Sequence, residues 1–426
     1  MKFQSICVVG LGYIGLPTAS MFATKGIRVT GVDNNIEVVR SLKAGKVHIY
    51  EPGLKQVVEQ AISQGTLTVS EKPVKADAFI IAVPTPFYGD KKADLSYVHA
   101  AAESIVPVLE KGNLVVLEST SPPLTTREHV LPILEKTGLK AGKDFLLAYS
   151  PERVLPGQIL KELVENARVI GGIDRASAEA GKDLYQTIVK GEIILTDATT
   201  SEMVKLMENT YRDINIAIAN EFSRLADRFG VDVWEAIQIA NRHPRVKILN
   251  PGPGVGGHCI SVDPWFFVEA APDISPLIHT ARNVNDSQPE FVVALVRSLI
   301  GDLIGKKVTV FGLAFKPDVD DLRESPAIEV AHKLHLAGAA VTAFEPFKPD
   351  FKHEGIAMAA SLDQAVAYAD VILLLVNHTQ FRELNAADLR KKTKAPIVID
   401  TVNGWNRQAF ETAGFRLLRL GDRKNI

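Results

Sequence analysis

The sequence predicts an α/β protein with two Rossmann-like, doubly wound parallel-sheet domains joined by a central helical domain that contains one long helix. Three observations lead there. Short apolar runs alternate with helical stretches through residues 1–196, a strand-free stretch begins at residue 199, and the alternation returns at Lys307. The division that follows is 1–196, 197–300 and 301–426, in line with the three domains that a prior of ~150 residues per domain gives for this length.

The first apolar run, 6–9, leads into a glycine-rich turn, a helical stretch over 14–25 and a second run, 28–32, that closes on Asp33. This is a βαβ pattern. Strand-like runs recur at 67–69, 78–83, 114–118, 145–149, 169–170 and 192–195, with helical segments between several of them. From 199 to 229 the apolar residues Met203, Met207, Ile214, Ile218, Phe222 and Leu225 recur at helical spacing. A helix longer than ~25 residues exceeds the usual globular length, so it either bridges domains or packs against a second copy of itself. Helical character resumes at 232–240 and 275–303, on either side of a loop rich in Gly and Pro. The last domain has strands at 308–312, 340–344, 371–376 and 397–400, with helices such as 328–336 between them.

Composition narrows the function. The 48 basic and 50 acidic residues nearly cancel, and no basic excess marks a nucleic-acid partner or an acidic membrane surface. The longest apolar runs are strand-sized, far below the ~20 residues that cross a bilayer, and the N-terminus shows no export signal. A cytoplasmic protein acting on small molecules is expected, with no metal. Only Cys7 and Cys259 are present, too few for a disulfide framework. Cys7, inside the first strand, reads as structural.

Gly10, Gly12 and Gly15 form a GxGxxG between a strand and a helix, with Asp33 ending the next strand. Gly10 permits the tight turn, Gly12 lets backbone approach a pyrophosphate, Gly15 lets helix and strand pack, and Asp33 can accept from a ribose diol. Asn34 and Asn35 follow Asp33 where a 2′-phosphate would need a cation, so the cofactor is NAD rather than NADP. The equivalent turn of the last domain, Gly312-Leu-Ala-Phe-Lys316, lacks the other glycines and is expected to hold part of a nucleotide substrate.

The run Asn250-Pro-Gly-Pro-Gly-Val-Gly-Gly-His-Cys259 can expose backbone amides and ends on a thiol, with Asp263 four residues on. An isolated cysteine is more often a small buried hydrophobe, but this setting favours a nucleophile activated by amides or a neighbouring cation. On the long helix Lys205, Asn209 and Arg212 sit at i, i+4 and i+7. That stripe is either a solvated face or a set of donors for an oxyanion or a diphosphate.

Together these motifs resemble the UDP-glucose/GDP-mannose dehydrogenase family over essentially the whole chain. The resemblance rests on Gly10-Leu-Gly-Tyr-Ile-Gly-Leu16, Pro84-Thr85-Pro86, Glu118-Ser119-Thr120, Ser150-Pro151-Glu152-Arg153, Lys205 with Asn209, Gly254-Val-Gly-Gly-His-Cys259, Phe315-Lys316 and Asp321-Leu-Arg-Glu-Ser-Pro326. Within the family, Arg153-Val154-Leu-Pro-Gly157, Asn241-Arg-His-Pro-Arg245 and Cys259-Ile-Ser-Val-Asp-Pro-Trp265 look most like the branch acting on UDP-N-acetyl-D-mannosamine. The branch acting on UDP-N-acetylglucosamine is the nearest alternative. Some relatives that oxidise UDP-glucose carry a further glutamate where this chain has Pro156, which weakens UDP-glucose as substrate.

The resemblance implies a four-electron oxidation of a sugar C6 alcohol to a carboxylate, with two NAD reduced per UDP-sugar. Cys259 would attack the C6 aldehyde and pass through a thiohemiacetal to a thioester. Lys205 would stabilise oxyanions and share acid/base work, Asn209 would bond the reacting oxygen, Asp263 and Thr120 would organise water and proton transfer, and Glu152 would activate the hydrolytic water. Arg153, Val154, Arg212, His243, Arg245, Gly256, Phe315 and Lys316 would join Lys205 and Asn209 in binding the nucleotide sugar. Tyr13, Ile14, Asp33, Thr85, Thr120 and Arg323 would contact NAD. The resemblance also implies a homodimer through the central helix, with His243 and Arg245 reaching the neighbour's site. A two-electron hydroxyacid or hydroxyacyl dehydrogenase is the alternative from another class, and it has no use for a cysteine nucleophile. A non-enzymatic NAD-sensing scaffold would leave Cys259, Lys205 and Glu152 without a shared task.

Overall fold

A computed structural model describes residues 3–89, 91–155 and 157–424, so Pro156 lies outside the described residues. The chain divides into two compact units. One takes in the residues up to Glu208 with Trp265–Pro272, and the other takes in Asn209–Pro264 with the residues from Asp273 onward.

The first unit is built on an eight-stranded sheet. Its strands are β1 (Ser5–Val9), β2 (Arg28–Val32), β3 (Leu67–Ser70), β4 (Ala78–Ile81), β5 (Leu114–Leu117), β6 (Leu146–Tyr149), β7 (Arg168–Gly172) and β8 (Ile193–Asp197), in the order β3-β2-β1-β4-β5-β6-β7-β8. Because β1 pairs in parallel with both β2 and β4, the order of the strands reverses there and opens a crevice at their carboxyl ends. Helices cover both faces. Ile6, Val8 and Ile80 therefore pack into one core while their strand neighbours Cys7, Val9, Phe79 and Ile81 pack into the other. One detail departs from a purely parallel sheet. β7 runs antiparallel to β6, and β8 follows β7 in parallel. The chain leaves β6, forms the short helix Ile159–Glu165 and returns beside β6 without crossing the sheet. Strands buried on both faces carry no alternation that would reveal their direction.

In the second unit β9 (Lys307–Phe311), β10 (Ala340–Phe344), β11 (Ile356–Met358), β12 (Val371–Leu374), β13 (Ile397–Asp400) and β14 (Arg416–Arg419) form a wholly parallel sheet in the order β11-β10-β9-β12-β13-β14. The edge strands β11 and β14, of 3 and 4 residues, are too short to stand out in the sequence.

The helical region begins with a 32-residue helix, Ala198–Phe229. The stretch expected over 275–303 is two helices, Pro276–Asp286 and Gln288–Ile300, separated at Ser287. The long helix reverses the usual amphipathic pattern. Lys205, Asn209, Asp213, Asn220 and Ser223 are buried, whereas Met203, Met207, Ile218, Phe222 and Leu225 are exposed. In the second unit Asp213 pairs with the buried Arg282 at 2.5 Å and accepts from Asn285 Nδ2 at 2.8 Å, while Asn220 Nδ2 donates to Asn285 Oδ1 at 2.9 Å. A polar seam thus shares the buried face with Leu206, Ala217, Ala219 and Ala226. Among the described residues no helix is long and apolar enough to cross a membrane.

Candidate active site

In the first unit the glycine turn after β1 opens the helix Gly15–Ala23. No side chain caps that helix at Ile14; in its first turn the Leu16 amide donates to the Gly12 carbonyl at 3.1 Å and Pro17 has no N–H, which leaves the Gly15 amide and the helix dipole to face an anion. Gly15 is demanded by packing, since a Cβ there would lie 1.8 Å from the Gly10 carbonyl oxygen. Asp33 is half-buried just beyond β2, where its Oδ2 accepts from the Leu11 amide at 3.0 Å and its Oδ1 from the Asn35 amide at 2.9 Å. The carboxylate is anchored to the turn and keeps lone pairs for a ribose diol. Gly12 and Tyr13 are exposed and Ile14 is half-buried. Thr85, buried, follows β4, and Thr120, half-buried, follows β5. Gly10, Asp33, Thr85 and Thr120 therefore lie beyond the carboxyl ends of four neighbouring parallel strands, where open α/β sheets take their ligands. The uncapped helix and the half-buried carboxylate fit an NAD pyrophosphate and ribose.

The second sheet offers a contrast that the sequence reading missed. Glu345, just beyond β10, occupies the position that Asp33 holds after β2, but it is buried. Its Oε2 accepts from the Leu313 and Ala314 amides at 2.7 and 3.0 Å and lies 3.0 Å from His378 Nε2, while its Oε1 accepts from the Phe347 amide at 2.9 Å. Burial opposes its ionisation, but these bonds hold it below the usual carboxylate range. The acidic residue that would greet a ribose is consumed internally, so this turn is closed to a second dinucleotide held in the same way. Its signal was the acidic end of an apolar strand.

Glu152, Arg153 and Val154 follow β6 in the first unit. Glu152 Oε1 accepts from the Arg153 amide at 2.7 Å and its Oε2 from Arg168 Nη1 at 2.9 Å. The Arg153 guanidinium donates to Glu208 at 2.7 Å and to the Ala167 carbonyl, and Val154 is half-buried. Glu202, on the first turns of the long helix, also escaped the sequence reading. It is buried and accepts from the Leu124 amide and from the Thr126 amide and hydroxyl at 2.6 to 2.7 Å, which fastens the loop carrying Thr120. One turn further along the same helix Lys205 is buried, with no carboxylate within ion-pair distance among the described residues. Such a cation suits a developing oxyanion.

In the second unit Asn209 Nδ2 donates to Asp263 Oδ2 at 2.5 Å, and both residues are buried. The Asp263 and Val262 amides donate to the Cys259 carbonyl at 2.8 and 3.1 Å, forming a turn that leaves Cys259 exposed. The glycines before it are needed for close approach. Gly257, at φ 86°, would place a Cβ 2.8 Å from the Phe315 ring. Gly256 is half-buried beside Phe315 and Pro326, and Lys316 Nζ lies 5.7 Å from the Phe315 ring centroid. The structure thus gathers Asn209, Gly256, Cys259, Asp263, Phe315 and Lys316 within one unit. Burial and the Arg323 guanidinium push the His258 imidazole below its ordinary value, toward its neutral form.

Of the remaining expected residues, Arg212, His243 and Arg245 lie outside that cluster, whereas the Arg323 carbonyl accepts from the Gly257 amide at 3.1 Å. Arg212 is exposed on the long helix. His243 and Arg245 lie on an exposed loop, where the Arg245 amide donates to His243 Nδ1 at 3.3 Å and Asn241 fastens the loop to Ile248. Arg323, expected near NAD, belongs to the second unit and forks onto Asp321 at 2.7 to 3.2 Å.

Residues 4–189 match the NAD binding domain of the UDP-glucose/GDP-mannose dehydrogenase family, residues 199–287 its central domain and residues 309–407 its UDP binding domain. The chain is 52% identical to the UDP-N-acetyl-D-mannosamine dehydrogenase of Methanocaldococcus jannaschii, over 99% of this chain and 97% of that one. Among solved structures it resembles the UDP-D-ManNAc dehydrogenase of Pyrococcus horikoshii, with a TM-score of 0.91, 40% identity and 99% and 100% of the two chains covered. It also resembles the UDP-N-acetyl-mannosamine dehydrogenase of Staphylococcus aureus, with a TM-score of 0.89, 45% identity and 99% of each chain covered.

Proposed function

The chain belongs to the UDP-glucose/GDP-mannose dehydrogenase family, and on that premise we propose that it oxidises UDP-N-acetyl-D-mannosamine at C6 to UDP-N-acetyl-D-mannosaminuronic acid. It is an NAD-dependent oxidoreductase acting on a nucleotide sugar. The product would serve surface polysaccharide synthesis, with the reaction placed in the cytoplasm. The observation that carries this reading is the hydrogen bond from Asn209 to Asp263, which fixes the turn presenting the exposed Cys259 thiol.

NAD, held by the turn of Gly10, Gly12 and Gly15 with Asp33 at its ribose, supplies the hydride acceptor. The chain's own residues do the rest. Cys259 Sγ adds to the C6 aldehyde, and the thiohemiacetal, once oxidised, is a thioester. Lys205 and Asn209 stabilise charge on the reacting oxygen, Asp263 and Thr120 manage water and protons, and Glu152 activates the water that cleaves the thioester. Gly256, Phe315 and Lys316, with Arg153, Val154, Arg212, His243 and Arg245, bind the nucleotide sugar, and Tyr13, Ile14, Thr85 and Arg323 contact NAD. The domains 1–196, 197–300 and 301–426 divide these tasks.

The reading includes a homodimer through the central helix. Met203, Met207, Ile218, Phe222 and Leu225 expose an apolar face, and a groove lined by Phe222, Leu225, Phe229, Val231 and Ile248 continues it. Apolar area of this extent, left exposed on a long helix, supports burial against a second copy.

The test is a panel of UDP-N-acetylmannosamine, UDP-N-acetylglucosamine, UDP-glucose and GDP-mannose, following NADH at 340 nm. We expect kcat/KM to favour the mannosamine nucleotide by at least about tenfold. A preference for UDP-N-acetylglucosamine would move the chain to the neighbouring branch.

A further inference from the structure

We propose that Arg168 is a positioning residue for the hydrolytic half of the reaction, holding the Glu152 carboxylate where it activates water; this rests on the reading of Glu152 given above. Arg168 opens β7, and the reversal of that strand against β6 brings the guanidinium to the residues that follow β6. It is buried and uses all three nitrogens. Nε donates to Ser150 Oγ at 2.8 Å, Nη1 to Glu152 Oε2 at 2.9 Å and Nη2 to Glu118 Oε1 at 2.5 Å. Its plane lies over the Tyr185 ring, 3.9 Å from the centroid, and the Tyr185 hydroxyl donates to the same Glu118 oxygen at 2.6 Å. A lysine has neither the planar fork nor the stacking face needed to reproduce this.

The arrangement holds Glu152 in one place. A small cavity of about 10 Å³ lined by Pro151, Glu152, Arg153, Glu162, Asn166 and Arg168 leaves room beside the carboxylate for about one water. It also decides where the negative charge resides. Glu118 Oε2 is buried and has no hydrogen-bond partner among the described residues, which disfavours the ionised carboxylate. Burial pushes the Glu118 carboxyl up to about 7, with Arg168 opposing and the charge on Glu152 adding to the rise. Below about pH 7, where Glu118 holds its proton, the guanidinium is balanced by Glu152 alone, and the cluster's anion is the group assigned to the water.

The step served is hydrolysis of the acyl-enzyme. Water adds to the thioester carbonyl carbon and gives a proton to Glu152. The C–S bond then breaks, Cys259 leaves as thiolate and recovers a proton, and the acyl group departs as carboxylate with one net proton released.

The test compares Arg168→Lys, Tyr185→Leu and Glu152→Gln by rapid-quench mass measurement of the Cys259 adduct and by steady-state kinetics. For Arg168→Lys we expect the initial burst of NADH and KM to stay within about twofold of the parent, kcat to fall at least about tenfold and the acyl adduct to accumulate. Tyr185→Leu removes the ring over which the Arg168 guanidinium lies without touching Glu152 and should slow adduct loss about threefold, which keeps the test open if Arg168→Lys does not fold. Adduct loss within twofold of the parent in whichever variants fold, or an equal fall in burst and hydrolysis, would overturn the proposal. Glu152→Gln reports separately. If it loses the adduct at the parent rate, the reading of Glu152 fails whatever Arg168 does.

Discussion

Asn209 on the long helix donates to Asp263 at 2.5 Å, and the Asp263 amide donates in turn to the Cys259 carbonyl at 2.8 Å. The amide of one helical side chain therefore sets the turn that presents the thiol. Asn209→Ala removes a partner from a buried carboxylate. It should cost about 1–3 kcal/mol in urea unfolding and lower kcat at least about tenfold, with NAD affinity unchanged. Undiminished turnover would detach the helix from the chemistry.

The two thiols should differ sharply in reactivity. Burial pushes Cys7 up to about 11, whereas Cys259 is exposed. Iodoacetamide at pH 8 should modify Cys259 alone in the folded protein, and UDP-sugar should slow it. Peptide mapping that found Cys7 alkylated at a comparable rate would contradict the assignment.

Asp33 and Glu345 end equivalent strands but should behave differently. Asp33→Ala should weaken NAD binding about tenfold by calorimetry, through loss of hydrogen bonds to the ribose. Glu345→Gln should leave NAD affinity unchanged while costing about 1–3 kcal/mol of stability, because an amide NH₂ would face backbone donors.

Glu118 makes stability depend on pH in a stated direction. Its folded value, raised from 4.5 to about 7, means that the folded chain binds the proton more tightly than the unfolded one. The contribution of this group therefore falls as pH rises from about 4.5 to about 7 and is flat above that window. Glu118→Gln removes that slope, so the stability of the variant relative to the parent should climb across the window in denaturant titrations. A constant difference from pH 4.5 to 7 would show that Glu118 ionises normally.

Residues whose roles are local were legible in the sequence. The strand, glycine turn, helix and Asp33 lie within one continuous stretch, and the glycine-rich loop announces Cys259. What escaped depends on distant pairing. Arg168 reads as the polar start of an apolar strand, and only the antiparallel entry of β7 beside β6 turns it toward Glu118 and Glu152. The helix pattern was legible in period but not in side. Met203 and Phe222, which set the period, are exposed, while Asn220 and Asp213 are buried because Asn285 and Arg282 satisfy them from another helix.

The central claim is a four-electron oxidation through Cys259, and the most direct measurement is the yield of NADH against UDP-N-acetyl-D-mannosamine consumed. We expect two NADH per sugar with the uronic acid as sole product, and no steady-state turnover in Cys259→Ser. One NADH per sugar with release of free aldehyde would contradict it.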